Sequence, residues 1–241
     1  MLDLKGGRAV HAVAGDRAAY RPLRSRFAPT ADPVALARGL RDQAGATELY
    51  LADLDAITDR AEPAWSTLRA VADLGLAAWA DVGVRDGAGV DALIRAGVAT
   101  LVIGLESIRG PEVLARAVDR AGAGRVVWSL DLRAGVPIVR PDHDWRGDPA
   151  DPASLIDQAV AAGVRRILRL DLATVGPGRG VDQTPPAPTR WPGVEWATGG
   201  GVAAPADLAT LDRLGYSAVL VGSAVHDGRV ALGQGSWSSR P

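Results

Sequence analysis

Two aspartates, Asp3 and Asp131, lie at the ends of short segments that have the pattern of buried strands. Carboxyl groups on opposite sides of one pocket can act as general base and general acid, because each can exchange a proton with a reacting carbon. A lone aspartate after a strand is more often a helix cap or a turn residue. A matched pair favours catalysis, although the sequence does not decide which carboxyl group is the acid.

A second group of residues could bind phosphate. Gly199, Gly200 and Gly201 follow one predicted strand, and Gly222-Ser223 follow the next. Glycines let backbone N–H groups approach anionic oxygens, and the start of a following helix adds a favourable dipole. The alternative is that these glycines only permit tight turns. We expect Gly200, Gly201, Gly222 and Ser223 to form a phosphate cradle.

These residues need elements that bring strand ends together. Short apolar runs alternate with amphipathic segments about every 30 residues, which is typical of parallel strands with helical crossovers. The predicted strands are 2–4, 49–53, 77–81, 100–104, 126–131, 166–171, 194–198 and 218–222. The predicted helices are 32–43, 63–74, 87–96, 111–121, 152–162 and 205–214, and the proline-rich 185–192 replaces a further helix by an irregular segment. A doubly wound sheet shares this alternation, but eight units fill the chain as a (βα)8 TIM barrel.

An internal repeat favours the closed barrel. A shift of 118 residues superimposes Gly45 on Gly163, Asp53 on Asp171, Gly83 on Gly201, Gly97 on Gly215 and Gly104 on Gly222. All of these pairs lie at the ends of predicted elements, so the pattern indicates a half-barrel repeated twice. We expect a single barrel over 1–233, with half-barrels of about 1–121 and 122–233 and a C-terminal tail at 234–241. The repeat also makes Gly83 and Gly104 the first-half counterparts of the phosphate cradle.

Composition limits the function classes. The chain has 241 residues, 47% hydrophobic, and a formal net charge of −1, with no basic block that would indicate nucleic acid or a membrane surface as partner. Cysteine is absent and only three histidines are present, so we expect no thiolate or histidine metal site and no resident metal. No signal peptide or spanning segment is visible, which predicts a cytoplasmic protein. The oligomeric state is not predicted.

The motifs together resemble one family, the histidine-biosynthesis barrels: ProFAR isomerase and the cyclase subunit of imidazole glycerol phosphate synthase. The similarity extends from Leu2 to about Val230. The segments that match the family's motifs are 2–7 (LDLKGG), 52–55 (ADLD), 83–85 (GVR), 102–104 (VIG), 129–131 (SLD), 199–202 (GGGV) and 221–224 (VGSA).

The resemblance implies an Amadori-type rearrangement of an aminoaldose phosphate to an aminoketose, without a cofactor. It implies that the aspartates matching strands 1 and 5, Asp3 and Asp131, do the acid–base work, and that paired phosphate sites hold the two ends of the substrate. Arg85 lies at the family's position for a substrate-facing arginine. Asp53 and Asp171 are expected to point into the barrel mouth, where Asp171 either binds substrate hydroxyls or caps the following segment.

The chain departs from the family pattern in three places. Asp81-Val82-Gly83 stand where the family has a glycine triplet, Leu105, followed by Glu106, stands where it has a hydroxyl residue, and Val175 replaces an aspartate. A carboxylate at Asp81 would repel phosphate. Two alternatives to ProFAR isomerisation therefore stay open. One is a repurposed homologue that binds a monophosphorylated ligand in another pathway, such as one-carbon or pterin metabolism, and the other is a non-catalytic phosphate-binding barrel.

Overall fold

The computed structural model describes residues 1–13, 16, 18–58, 60–176, 180–186 and 190–232. Its centre is a sheet of parallel strands in which each strand pairs with the next one along the barrel. These strands are β1 (Leu2–Lys5), β4 (Glu48–Asp53), β5 (Ala77–Asp81), β6 (Thr100–Gly104), β7 (Val126–Arg133), β9 (Arg166–Asp171), β10 (Glu195–Gly199) and β11 (Ala218–Leu220). Within the described residues they number eight, and the predicted strands are confirmed with ends that differ by at most two residues.

The first and last of these strands meet and close the barrel. The N-terminal ammonium group of Met1, just before β1, donates to the carbonyl oxygen of Val221, just after β11, at 2.9 Å. His226 reaches the carbonyl of Met1 at 3.2 Å from the same end of the chain. Closure of eight parallel strands with helical crossovers makes this fold a (βα)8 barrel.

The helices cover the outside of the barrel. They are α1 (Pro33–Ala44), α2 (Leu54–Ile57), α3 (Trp65–Asp73), α4 (Gly87–Arg95), α5 (Pro111–Ala121), α6 (Pro152–Ala161), α7 (Pro205–Leu214) and α8 (Ser223–His226), with a 3₁₀ turn at Ala123–Arg125. Three short antiparallel strands, which the sequence pattern did not predict, extend the sheet: β2 (Arg8–His11), β3 (Arg21–Pro22) and β8 (Val136–Pro137). Residues 187–189 of the proline-rich segment 185–192 lie outside the described residues, and the described residues of that segment form no helix, as predicted.

Local sequence explains where the helices begin and end. Asp32, Asp86 and Asp151 cap α1, α4 and α6 by accepting hydrogen bonds from first-turn N–H groups. Proline occupies the start of α1, α5, α6 and α7, where no N–H partner is lost. Gly45 and Gly215 end α1 and α7 in the left-handed conformation. Within the described residues, none of these helices is both long and apolar enough to cross a bilayer.

Two apolar layers stabilise the barrel. The outer layer lies between strands and helices and contains fully buried residues such as Leu36, Leu101 and Leu155. The inner layer fills the barrel with side chains of alternate strand residues, among them Tyr50, Trp79 and Val102. Because successive strand residues point to opposite faces, this alternation decides which side chains reach the barrel mouth.

The two half-barrels share backbone conformations at the repeated glycines. Gly83 and Gly201 have φ of +67° and +73°, and Gly97 and Gly215 have φ of +77° and +97°. These values lie in the left-handed region that side-chain-bearing residues rarely adopt. The 118-residue repeat is therefore a repeat of turn geometry. The expected tail at 234–241, together with residue 233, lies outside the described residues.

Candidate active site

A cavity opens where the parallel strands end, and both candidate catalytic aspartates line it. Asp3 is on β1 and Asp131 is on β7, the first and fifth of the eight parallel strands. In a closed barrel of eight strands these two are diametrically opposite, so the carboxyl groups face each other across the mouth. The rest of the polar lining includes His11, Tyr50, Asp81, Glu106, Ser223 and Arg229.

Asp131 is held in a dry, acidic environment. Its side chain is 5% exposed, Oδ1 accepts the hydroxyl proton of Ser129 at 2.6 Å, and Oδ2 accepts the N–H of Glu106 at 3.3 Å. Burial and the nearby charges of Glu106 and Asp81 raise the pKa of the Asp131 carboxyl well above its ordinary value, against the lowering effect of the two hydrogen bonds. A carboxyl group in this environment retains a proton that it can donate.

Tyr50 shows how closely the acids cluster. This inward-facing residue of β4 is 7% exposed, and burial raises the pKa of its phenol well above the ordinary value. The charges of Asp81, Asp3, Asp131 and Glu106 raise it further, in that order. One phenol therefore feels the field of all four carboxyl groups, so they surround the same part of the cavity.

The glycine-rich segments of the second half-barrel form the opposite part of the cavity wall. Gly200 and Gly201 follow β10 with φ of +94° and +73°, and with Val202, Gly222 and Ser223 they line the cavity. Within the described residues, the backbone N–H groups of Gly201, Val202 and Ser223 donate to no acceptor. Free N–H groups that converge on one space make an anion-binding nest. We call residues 200–202 with 222–223 the amide nest.

The corresponding place in the first half-barrel is built differently. Asp81 Oδ1 accepts the N–H of Gly83 at 3.0 Å, and the Glu106 N–H is bound by Asp131. Gly83 also packs against α2, where a Cβ would lie 2.6 Å from the Cα of Ile57. Neither Gly83 nor Gly104 lines the cavity, so the structure does not bring these two to the positions expected for a phosphate site.

Asp53 and Asp171 do not point into the mouth, and this expectation was wrong. Asp53 accepts the N–H groups of Ala56 and Ala64 at 3.3 and 2.8 Å. Asp171 accepts those of Ala134 and Gly135 at 3.0 and 2.8 Å. The reason is that successive residues of a strand point to opposite faces of the sheet.

The register pairs Asp3 with Ala52 and Asp131 with Leu170. Each of the other two aspartates lies one residue beyond the inward-facing position and turns outward. Both side chains therefore anchor loops, which is the capping alternative for Asp171.

Arg85 also has a structural role that differs from the expectation. Its guanidinium donates from Nη1 to the Gly83 carbonyl at 2.5 Å and from Nη2 to the Ile57 carbonyl at 3.0 Å. It does not line the cavity. A guanidinium bound to two carbonyls joins the β5–α4 loop to α2, so these contacts show no substrate-facing role.

Three residues of the cavity were not found by sequence reasoning. His11, on β2, lies 3.4 Å from Ser223 Oγ through Nε2; Tyr50 lies among the acids; and Arg229 lines the side of the amide nest. Tyr50 had no signal in the sequence, because the register that pairs Ala52 with Asp3, and so turns Tyr50 inward, is set by the neighbouring strand. His11 had none, since β2 is an antiparallel addition that follows no barrel pattern.

Fold and cavity together define the class of protein: a two-fold repeated (βα)8 barrel with opposed carboxyl groups and an amide nest at its mouth. The sequence profile of the family described as "Histidine biosynthesis protein" matches residues 1–231. This chain belongs to that family.

Similar relatives from three organisms carry the name 1-(5-phosphoribosyl)-5-((5-phosphoribosylamino)methylideneamino) imidazole-4-carboxamide isomerase, or ProFAR isomerase. The protein of that name from Thermus thermophilus is 34% identical over 243 aligned residues, which cover 99% of this chain and 97% of the relative. The one from Deinococcus radiodurans is 37% identical over 187 residues, or 76% and 77% of the two chains. The Rubrobacter xylanophilus protein is 31% identical over 96% and 91%.

Proposed function

We propose that this protein is an isomerase that converts a phosphorylated aminoaldose to the corresponding aminoketose by an Amadori-type rearrangement. The observation that carries the proposal is the pair Asp3 and Asp131, opposed across one cavity that also contains the amide nest. The names of the relatives support it, since each is called ProFAR isomerase. The catalytic unit is proposed to be one barrel over 1–233.

The amide nest would hold the phosphate. Backbone N–H groups of Gly201, Val202 and Ser223 offer donors that need no rearrangement, and charge-assisted hydrogen bonds to an anion are about twice as strong as neutral ones. Arg229 adds a cation at the same side, although its guanidinium is shared with Asp227 at 2.7 Å. A phosphate seated there would place the sugar carbons between the two catalytic aspartates.

Each aspartate then has a defined role. Asp131, with its raised pKa, donates a proton to the ring oxygen as the bond from that oxygen to C1 breaks, which leaves an iminium at C1. Asp3 removes the proton from C2, and the electron pair forms an enolamine. Proton return to C1 and loss of the hydroxyl proton at C2 complete the aminoketose. Substrate and product have the same atomic composition and differ only in where hydrogen is bound, so the reaction needs no external oxidant, reductant or cofactor.

A cytoplasmic location is part of the same proposal, because doubly charged phosphate esters do not cross membranes unaided and remain where they are made. The partner proposed is a small phosphorylated substrate, with neither nucleic acid nor a membrane surface involved.

The test is proton exchange during turnover. Aminoaldose phosphates, including ProFAR, would be incubated with the protein in deuterium oxide, and C1 and C2 followed by proton NMR. We expect aminoketose formation with deuterium at C1 for at least one substrate, and its loss in Asp3→Asn and Asp131→Asn. Asp119→Asn, on the exposed face of α5, is the matched control. Full activity of Asp131→Asn, or no exchange with any aminoaldose phosphate, would contradict the proposal.

A further inference from the structure

The phosphate end of the cavity contains several basic groups. Within the described residues, those that line the cavity are His11, His226, Arg229 and the N-terminal amine of Met1. An anion is bound more strongly by a charged donor than by a neutral one. The charge that each of these groups carries therefore decides which of them can strengthen the binding of phosphate.

The positive charge of Arg229 is balanced by Asp227. The guanidinium donates from Nε to Asp227 Oδ2 at 2.8 Å, and its Nη2 lies 2.7 Å from the same oxygen. Burial tends to raise the pKa of the Asp227 carboxyl, but the hydrogen bonds from Arg229 outweigh burial and lower it. The two side chains thus form an ion pair that adds little net charge to the amide nest.

His226 and the amine of Met1 are held in the closure of the barrel. Burial lowers the pKa of the His226 imidazole to about 4, and its two ring nitrogens lie within hydrogen-bond distance of Ser25 Oγ and the Met1 carbonyl. Burial also lowers the pKa of the Met1 amine to about 6, and this amine donates to the Val221 carbonyl. Both groups are therefore mainly uncharged above about pH 7.

His11 differs from these three groups because it faces the amide nest directly. It lies on β2, its side chain is half-buried, and Nε2 lies 3.4 Å from Ser223 Oγ. An imidazole changes its charge near neutral pH, and an anion at hydrogen-bond distance favours the protonated form. A phosphate seated in the amide nest would lie beside this ring.

Charged groups on the elements around β2 act on the same ring. Arg21 on β3 pairs with His11 in the sheet, but its guanidinium donates to the carbonyl oxygens of its own loop. Asp3 on β1 lines the same cavity, and the charges of His11 and Asp227 interact. The two carboxyl groups favour a protonated imidazole, whereas Arg21 and the Met1 ammonium group oppose it.

We propose that His11 supplies the positive charge of the phosphate site: its imidazole takes up a proton when a dianionic phosphate binds in the amide nest, and donates a charge-assisted hydrogen bond to that phosphate. This inference rests on the proposed function, because it concerns the phosphate group of the same substrate. His11 is a binding residue, and the proton transfers at carbon remain with Asp3 and Asp131. Since proton and anion each favour the binding of the other, affinity for the anion falls as the pH rises.

Sulfate is the probe that tests this coupling, because it has the shape of phosphate and stays doubly charged across the neutral range. Its affinity for the intact protein is measured by isothermal titration calorimetry. We expect sulfate to bind about fivefold or more tightly at about pH 6 than at about pH 8. Titrations in two buffers with different enthalpies of ionisation should show net uptake of protons on binding. Inorganic phosphate is titrated in parallel to establish that the site accepts phosphate.

Three variants assign the titrating group. His11→Gln keeps an N–H donor without a charge, so its sulfate affinity should be nearly independent of pH and close to the wild-type value at the higher pH. His11→Arg carries a permanent charge, so its affinity should stay at or above the wild-type value measured at the lower pH. His143→Gln, in a residue that does not line the cavity, is the control and should keep the wild-type dependence.

Sulfate affinity that does not change with pH in the wild type, together with no proton uptake, overturns the inference and leaves the amide nest and the isomerase proposal standing. A His11→Gln protein that keeps the full pH dependence also overturns it, since the titrating group is then the Met1 amine. Failure of both sulfate and inorganic phosphate to bind overturns the inference and also the phosphate nest in the proposed function. The buffer comparison needs only the wild-type protein, so it decides the matter even if a His11 variant does not fold.

Discussion

Acidification should destabilise the barrel through His226, which sits next to the amide nest. This residue of α8 is 2% exposed, with Nδ1 at 2.9 Å from Ser25 Oγ and Nε2 at 3.2 Å from the Met1 carbonyl. Burial, followed by the nearby N-terminal ammonium group, lowers the pKa of the imidazole from 6.5 to about 4. The neutral ring therefore ties together three parts of the chain at the point where the barrel closes.

The sign and size of the effect follow from this pKa. A histidine whose pKa is lower in the folded state stabilises the fold above the unfolded pKa, and this stability is lost as the pH falls toward the folded pKa. At 1.36 kcal/mol per pKa unit, the change from 6.5 to about 4 amounts to about 3 kcal/mol at most. About 2 kcal/mol of the His226 contribution to the free energy of unfolding should disappear between about pH 7 and about pH 5.

Urea unfolding at several pH values measures this dependence in wild type and in two variants. His226→Gln can keep the bond to Met1 but loses the one to Ser25, so we expect it to be about 1 kcal/mol less stable at neutral pH. Since it has no imidazole to protonate, it should equal or exceed wild type at about pH 5. Ser25→Ala removes the same bond and keeps the histidine, so it should be weakened at neutral pH and keep the wild-type slope. Parallel pH curves for wild type and His226→Gln would refute the reasoning.

Three further predictions concern the site. Asp131→Asn should lower kcat about 10²–10⁴-fold with KM nearly unchanged in steady-state assays, because the amide keeps the shape but exchanges no proton; a larger effect on KM would assign it to binding. Gly201→Ala, at φ +73° and with its Cβ overlapping a facing carbonyl oxygen, should abolish calorimetric binding of inorganic phosphate, whereas Gly222→Ala, at φ −103°, should retain it. Asp171→Asn places an amide group against at least one of the three backbone N–H groups that donate to this carboxylate, those of Ala134, Gly135 and Ala173, and should reduce the free energy of unfolding in urea by about 1–3 kcal/mol; a rise in KM without that loss would indicate that Asp171 contacts the substrate.

Sequence alone was sufficient for the barrel. Alternation of strand and helix patterns is a local property, and the capping aspartates, prolines and glycines that mark helix ends act within one turn. The repeat of Gly83 at Gly201 and of Gly97 at Gly215 reports the same turn conformation in both halves. Because local geometry and periodicity repeat eight times, closure into a barrel could be predicted without any contact between distant residues.

The site was predictable only in part. Asp3 and Asp131 were assigned to the mouth correctly because they end strands at inward-facing positions, and Asp53 and Asp171 were assigned wrongly although they also end strands. A one-residue change in strand register reverses the side of the sheet that a side chain faces. Neighbouring strands set that register, so the local sequence around an aspartate does not determine which way its side chain points.

Only the tertiary structure decided how the two phosphate-site candidates differ. Sequence shows Asp81 as a departure from a glycine pattern, but the hydrogen bond from the Gly83 N–H to its carboxylate depends on how the β5–α4 loop packs against α2. The free N–H groups of the amide nest likewise depend on the turn after β10. Which backbone donors remain for a ligand is a property of the folded chain, because their other acceptors come from residues distant in sequence.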